Sequence, residues 1–88
     1  MTIDAFIFNQ LRAAVQLLQY HADIPTICAY IANLWQEGLI TDSHEEILYN
    51  LADPENECEA PEEIWNKLDL TSLQNPLYRI AKGMKEVV

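Results

Sequence analysis

Asp23-Ile-Pro-Thr-Ile-Cys-Ala-Tyr-Ile-Ala-Asn-Leu-Trp-Gln-Glu-Gly-Leu39 is the stretch whose reading decides the fold. The spacing predicts one complete helix with its own start and stop. Pro25 falls in the first turn, where a missing N–H costs nothing. Gly38 stands where a helix needs a left-handed residue to end. Ile27, Tyr30, Ile31, Leu34 and Trp35 recur at helical spacing on one wide stripe, with Cys28, Ala32 and Leu39 at its edge. Ala29, Asn33, Gln36 and Glu37 fill what is left. A helix this apolar has to be covered from several sides, so it is the expected central packing element.

Ahead of it, Ile3 to Ala22 reads as a first helix with Thr2 as its cap. Ile3, Phe6, Ile7, Leu11, Ala14, Val15, Leu17 and Leu18 cover more than half its circumference, and Asn9, Arg12, Gln16 and Gln19 form a narrow polar stripe. A helix packed on one side only carries a broader polar face. Either the later helices of the same chain cover it, or a second copy of the chain or another partner does. The shortage of charge in the first 36 residues, which hold only Asp4, Arg12 and Asp23, tilts the reading toward an interface.

Behind Gly38, Thr41-Asp42-Ser43-His44-Glu45-Glu46 is a helix start. Ser43 with Glu46 fits a capping box, as does Asp42 with Glu45. Ile47, Leu48, Leu51 and Ala52 continue that helix to the break at Asp53-Pro54. Asp53 to Glu63 reads as an exposed acidic loop, and Pro61 opens a short helix through Ile64, Trp65 and Leu68. The last helix starts at a Thr71–Gln74 box or at Asn75-Pro76, with Leu73, Leu77, Ile80, Ala81 and Met84 on one face. These signals predict an all-α fold, a compact bundle of four to five short helices forming a single domain over residues 1–88. Two glycines and no Asn-Gly or Asp-Gly turn argue against a hairpin-rich β fold.

Charge is segregated along the chain. The net charge is −9, yet no lysine or arginine occurs from Ala13 to Asn66, where eleven acidic residues fall. Lys67, Arg79, Lys82 and Lys85 all lie behind that block. The start shows no basic region with a cleavage pattern, and no uncharged run approaches the ~18 apolar residues of a membrane span. A cytoplasmic protein without membrane contact is the expectation, with Cys28 and Cys58 as two free thiols in a reducing compartment favoured over a single bridge between them.

Most site chemistry is disfavoured. His21 reads as a core histidine on the apolar side of the first helix, and His44 as a solvated residue of a helix's first turn. Cys28, Cys58, His21 and His44 are too scattered for zinc. Asp53, Glu55 and Glu57 match alternate positions of an EF-hand loop, but Cys58 stands for its turn glycine and Ile64 for its closing glutamate. Glu57 and Glu59 beside Cys58 disfavour a thiolate. With no phosphate-cradling glycine loop and no serine elbow, an enzyme is the least favoured class and no cofactor is expected.

The favoured expectation is an acidic helical protein-binding module that docks on a basic surface of a protein partner. Immunity proteins, antitoxins and phage-encoded inhibitors of nucleic-acid-handling proteins work in this manner. The expected contact surface is Glu45, Glu46, Asp53, Glu55, Glu57, Glu59, Glu62 and Glu63, with Tyr49 or Trp65 as its aromatic anchor. The alternative is a dimeric helix-turn-helix-derived regulatory or scaffold protein acting through protein contacts, because Glu37-Gly-Leu-Ile40 followed by a capped helix resembles the middle of a winged-helix domain. Direct nucleic-acid binding is disfavoured, since the helix after Gly38 has acids where a reading helix has Arg or Lys. A homodimer through the first helix is compatible with either reading.

Overall fold

The chain folds around α2. In the computed structural model, which describes residues 5–55 and 58–86, five helices follow one another: α1 (Ala5–Gln19), α2 (Ile24–Gln36), α3 (Asp42–Ala52), α4 (Glu62–Lys67) and α5 (Pro76–Glu86). No strand occurs among the described residues. The all-α expectation holds. The expectations placed on Thr2, Ile3, Glu57 and the side chain of Ile7 lie outside what the structure describes.

Local chemistry accounts for both ends of α2. Asp23 is its N-cap: in extended conformation, its Oδ1 accepts from the Thr26 amide at 3.1 Å and from the Thr26 hydroxyl. Pro25 occupies the first turn. At the other end Gly38 takes φ +75°. Its N–H donates to the Trp35 carbonyl at 3.0 Å, and the Leu39 N–H donates to the Leu34 carbonyl at 3.0 Å. This paired closure is a Schellman motif. It turns the chain so that Ile40 re-enters the core and α3 packs back on α2.

The core joins Leu11, Ala14 and Val15 of α1, Ile27, Ile31 and Leu34 of α2, Leu48 and Ala52 of α3, and Leu77 and Ala81 of α5. α2 packs against each of the other four helices, as expected of a central element. The burial extends beyond the predicted stripe. Ala29 is fully buried, and Asn33 is buried with its Nδ2 donating to the Trp65 carbonyl at 2.6 Å. Both fall outside the apolar stripe that the spacing predicts. The difference comes from α4, which covers that side of α2. Trp35 departs in the opposite sense: it is 45% exposed, and its indole N–H donates to the Asp42 carboxylate.

Several boundaries also shift. α1 stops at Gln19, and the Tyr20, His21 and Ala22 amides bond back to Leu17 and Leu18 as a turn. His21 is therefore exposed and not a core residue. α3 is capped by Thr41, whose Oγ1 accepts from the His44 amide at 3.2 Å, and neither predicted capping box forms. Asn75 caps α5, its Oδ1 accepting from the Leu77 amide at 3.0 Å and the Tyr78 amide at 3.3 Å. The Thr71–Gln74 box is absent because Thr71 bonds to Asp69 and the Gln74 amide to Ser72. Leu73 falls ahead of α5 and is 65% exposed.

Candidate partner-binding surface

α3 gathers the acids. Asp42, Glu45, Glu46, Tyr49 and Asn50 recur at intervals of three and four, which places them on one side of a helix. Together with Cys58 they line a groove of about 420 Å³. Cys58 reaches this groove because it is bonded to Cys28 in the first half of α2. The expectation of two free thiols is thus overturned. The segment after α3 folds back across α2 and brings the two Cα atoms to 5.9 Å, within the span a disulfide bridges. Cys28 is buried and Cys58 only half-buried, so the bridge is reached from the groove side.

The electrostatics follow from the geometry. Burial raises the Glu45 carboxyl above its usual 4.5, and the neighbouring Asp42 charge adds to the rise. The Tyr49 hydroxyl, one turn on, donates to Glu45 Oε2 at 3.4 Å and works against it. Burial pushes the Tyr49 phenol up to about 12, aided by the Glu45 charge and by that hydrogen bond. His44, expected to be solvated, is half-buried with an unpartnered Nδ1, and burial lowers its pKa from 6.5. Among the described residues, no acid of the middle block is paired with a lysine or arginine.

The other predicted contact residues divide. Glu46, Glu55, Glu59, Glu62 and Glu63 are exposed. Asp53 is only 4% exposed; its amide donates to the Tyr49 carbonyl at 2.8 Å and its Oδ1 accepts from the Glu55 amide at 3.1 Å. It closes α3 and presents nothing outward. Trp65 is half-buried against the α2 side, its carbonyl holding Asn33 and its indole N–H buried without a partner. Asp42 and Asn50 join the surface although neither is among the contact residues expected from the sequence; their spacing of three and four with Glu45, Glu46 and Tyr49 is the signal that points to them.

No helix among the described residues is long and apolar enough to cross a membrane. The described residues contain no group of three or more His, Cys, Asp or Glu side chains placed to hold a metal ion. Comparison with protein-family models, with curated proteins and with solved structures returns no match.

Proposed function

We propose that this chain is an acidic helical protein-binding module whose α3 groove docks on a basic surface of a protein partner. The observation that carries the reading is the row Asp42, Glu45, Glu46, Tyr49 and Asn50, three carboxylates with no cation of the same chain beside them. A carboxylate whose charge is poorly solvated, as at Glu45, gains more from an arriving cation than one already surrounded by water. Tyr49 supplies a half-buried ring within the row, the kind of anchor that interfaces favour. Glu59, exposed and next in sequence to Cys58 of the groove, adds a further negative charge to this part of the chain. An inhibitor of a nucleic-acid-handling protein, of immunity or antitoxin type, fits this surface by analogy of class, since such targets carry basic grooves. Direct contact with nucleic acid does not fit it.

The alternative of a dimeric helix-turn-helix-derived regulatory or scaffold protein draws on one observation, the exposed apolar side of α1. The disulfide bears on location. Such bridges persist in oxidising compartments, which counts against the cytoplasmic placement expected from the sequence. Thiol alkylation of the protein taken directly from its host separates the two locations.

The docking test is affinity capture from the native host at low and high salt, with the wild-type chain and with Glu45→Lys/Glu46→Lys. The expected partner is basic, is lost at high salt, and is not retained by the double variant. A partner that survives both changes overturns electrostatic docking on α3.

A further inference from the structure

Away from the acidic groove, α1 turns a second apolar stripe outward. Phe6, Gln10, Ala13 and Leu17 of α1 and Tyr20 in the turn directly behind it follow one another at spacings of four, three, four and three, the repeat by which one helix meets another along a seam. Phe6 is 68% exposed, Leu17 52% and Tyr20 85%. The stripe carries no charged residue, and Asn9 and Gln16 beside it are uncharged as well. At the start of the stripe, Phe6 and Gln10 form one wall of a groove of about 460 Å³. Pro76, Arg79, Ile80, Gly83 and Met84 of α5 form the other.

We propose that a second copy of this chain covers the stripe, the two α1 helices lying antiparallel with Ala13 of each at the two-fold axis. Phe6 in α1 and Tyr20, one residue past its end and bonded back to the Leu17 carbonyl, each stand seven residues from Ala13, roughly 10 Å in opposite directions along the helix axis. Antiparallel pairing about Ala13 therefore sets the partner's Tyr20 level with Phe6, at the mouth of the α1–α5 groove, and the symmetry repeats the contact. The most exposed ring of the stripe and the apolar groove lie on the same side of one helix, which is the self-complementary arrangement an isologous interface needs. The methyl side chain of Ala13 lets the helices approach closely at the axis.

Charge selects the same occupant. A chain of net charge −9 meets a copy of itself with least repulsion where it carries no carboxylate. Among the described residues, the groove at the end of the seam is lined by Arg79 and by no acid. No acid among the described residues of its own chain pairs with Arg79. The four aromatic rings of the pair, at roughly 150–250 Å² each, supply about half or more of the roughly 1,200 Å² that a specific interface needs. The acidic α3 groove takes no part, so this association stands independently of the docking proposed above.

The test is sedimentation equilibrium of the full, disulfide-intact chain across a wide concentration range. A dimer of 10.1 kDa chains is expected. Tyr20→Glu raises its dissociation constant on the order of tenfold or more, each factor of ten corresponding to about 1.4 kcal/mol. Tyr20→Gln, which adds no charge, raises it in the same direction, and circular dichroism shows both variants folded. Ala13→Cys crosslinks between copies on mild oxidation, whereas Arg12→Cys, off the stripe, does not. A chain that stays monomeric at its highest soluble concentration overturns the proposal, whether or not another protein binds through Tyr20. A dimer indifferent to Tyr20 and without the Ala13 crosslink overturns it equally.

Discussion

Cys58 is tied to Cys28 across a sequence separation of 30, and the bridge fastens the acidic segment between α3 and α4 to the buried side of α2. Among its described residues no helix holds that segment, and the bridge and the Asp53 turn restrain it. Closing a loop of this length lowers the entropy of the unfolded chain by an amount equivalent to about 3–4 kcal/mol at room temperature. Reduction, or Cys28→Ala/Cys58→Ser, is expected to lower the melting temperature by on the order of 15 °C. The helical signal should survive below the transition, since α1, α2, α3 and α5 share a cluster of aliphatic side chains that the bridge flanks and does not join. Thermal melts by circular dichroism with and without reductant check this, and an unchanged melting temperature would show that the bridge does not constrain the unfolded chain.

Asn33 fastens α4. Its Nδ2 donates to the Trp65 carbonyl at 2.6 Å from a site that is nearly closed to water. α4 is six residues long and has no side-chain cap, so it owes its place to α2 and not to its own propensity. Asn33→Ala removes the shorter of that carbonyl's two hydrogen bonds, leaving only the Leu68 amide at 3.3 Å, and opens a void. The expected cost is about 1–3 kcal/mol, with faster amide exchange in residues 62–68 than in α1 or α2. Denaturant unfolding and hydrogen exchange report the two effects separately.

Gly38 gives a purely conformational prediction. A Cβ built on it meets nothing within 4 Å, while its backbone sits at φ +75°. Gly38→Ala should therefore destabilise by about 1–2 kcal/mol through the left-handed backbone alone, and Gly38→Asn by less, because Asn tolerates that region better. Equal losses in the two variants would point to a steric cause that the open space does not provide.

These relationships show which parts of the fold the sequence discloses. Asp23, Pro25 and Gly38 announce α2 because caps and glycine stops act within a few residues, and the Ile27–Ile31–Leu34 stripe shows that it is buried. Asn33 and Ala29 read as outer residues, since nothing local reveals that a six-residue helix from farther along the chain will cover them. The Cys28–Cys58 bridge was illegible for the same reason: its partners meet through tertiary folding. Thr41 won the α3 cap over Ser43 and Asp42 because the Gly38 turn fixes where extended backbone ends. Of the candidate surface, the α3 row was present in the spacing of residues 42 to 50, whereas the burial of Asp53 depended on how α3 closes.

His44 lies between Asp42 and Glu45 of that acidic row in sequence, with its ring half-buried and Nδ1 unpartnered. Burial holds its pKa below 6.5 in the folded chain. Above 6.5 both states are neutral and the group is without effect. As the pH falls from 6.5 toward the lowered folded value, the unfolded chain takes up the proton first and stability declines. His44→Gln is expected to remove this component of the acid sensitivity, seen as a flatter melting temperature between pH 6.5 and the carboxylate range. An NMR titration of His44 above 6.5 would contradict it.

Glu45 and Tyr49 couple the groove to pH at both ends of the scale. The folded Glu45 carboxyl titrates above 4.5, chiefly because it is partly buried. Below 4.5 it imposes no cost; as the pH rises through 4.5 the unfolded chain releases its proton first, so stability falls until the folded group has ionised. Glu45→Gln should abolish that loss, making the variant the more stable chain at neutral pH by a margin absent in acid. Tyr49→Phe should raise the Glu45 pKa further, because the hydroxyl that favours the carboxylate is gone. In base, Tyr49 ionises only near 12 when folded, so stability falls again as the pH climbs from 10 toward that value. Glu45→Gln removes one cause of the Tyr49 shift but not the larger one, burial, so the phenol should move down toward 10 without reaching it. NMR titration of Glu45 and ultraviolet titration of Tyr49 in the two variants test the pair. A Tyr49 that titrates identically in wild type and Glu45→Gln would mean that the two side chains do not sense each other across the turn.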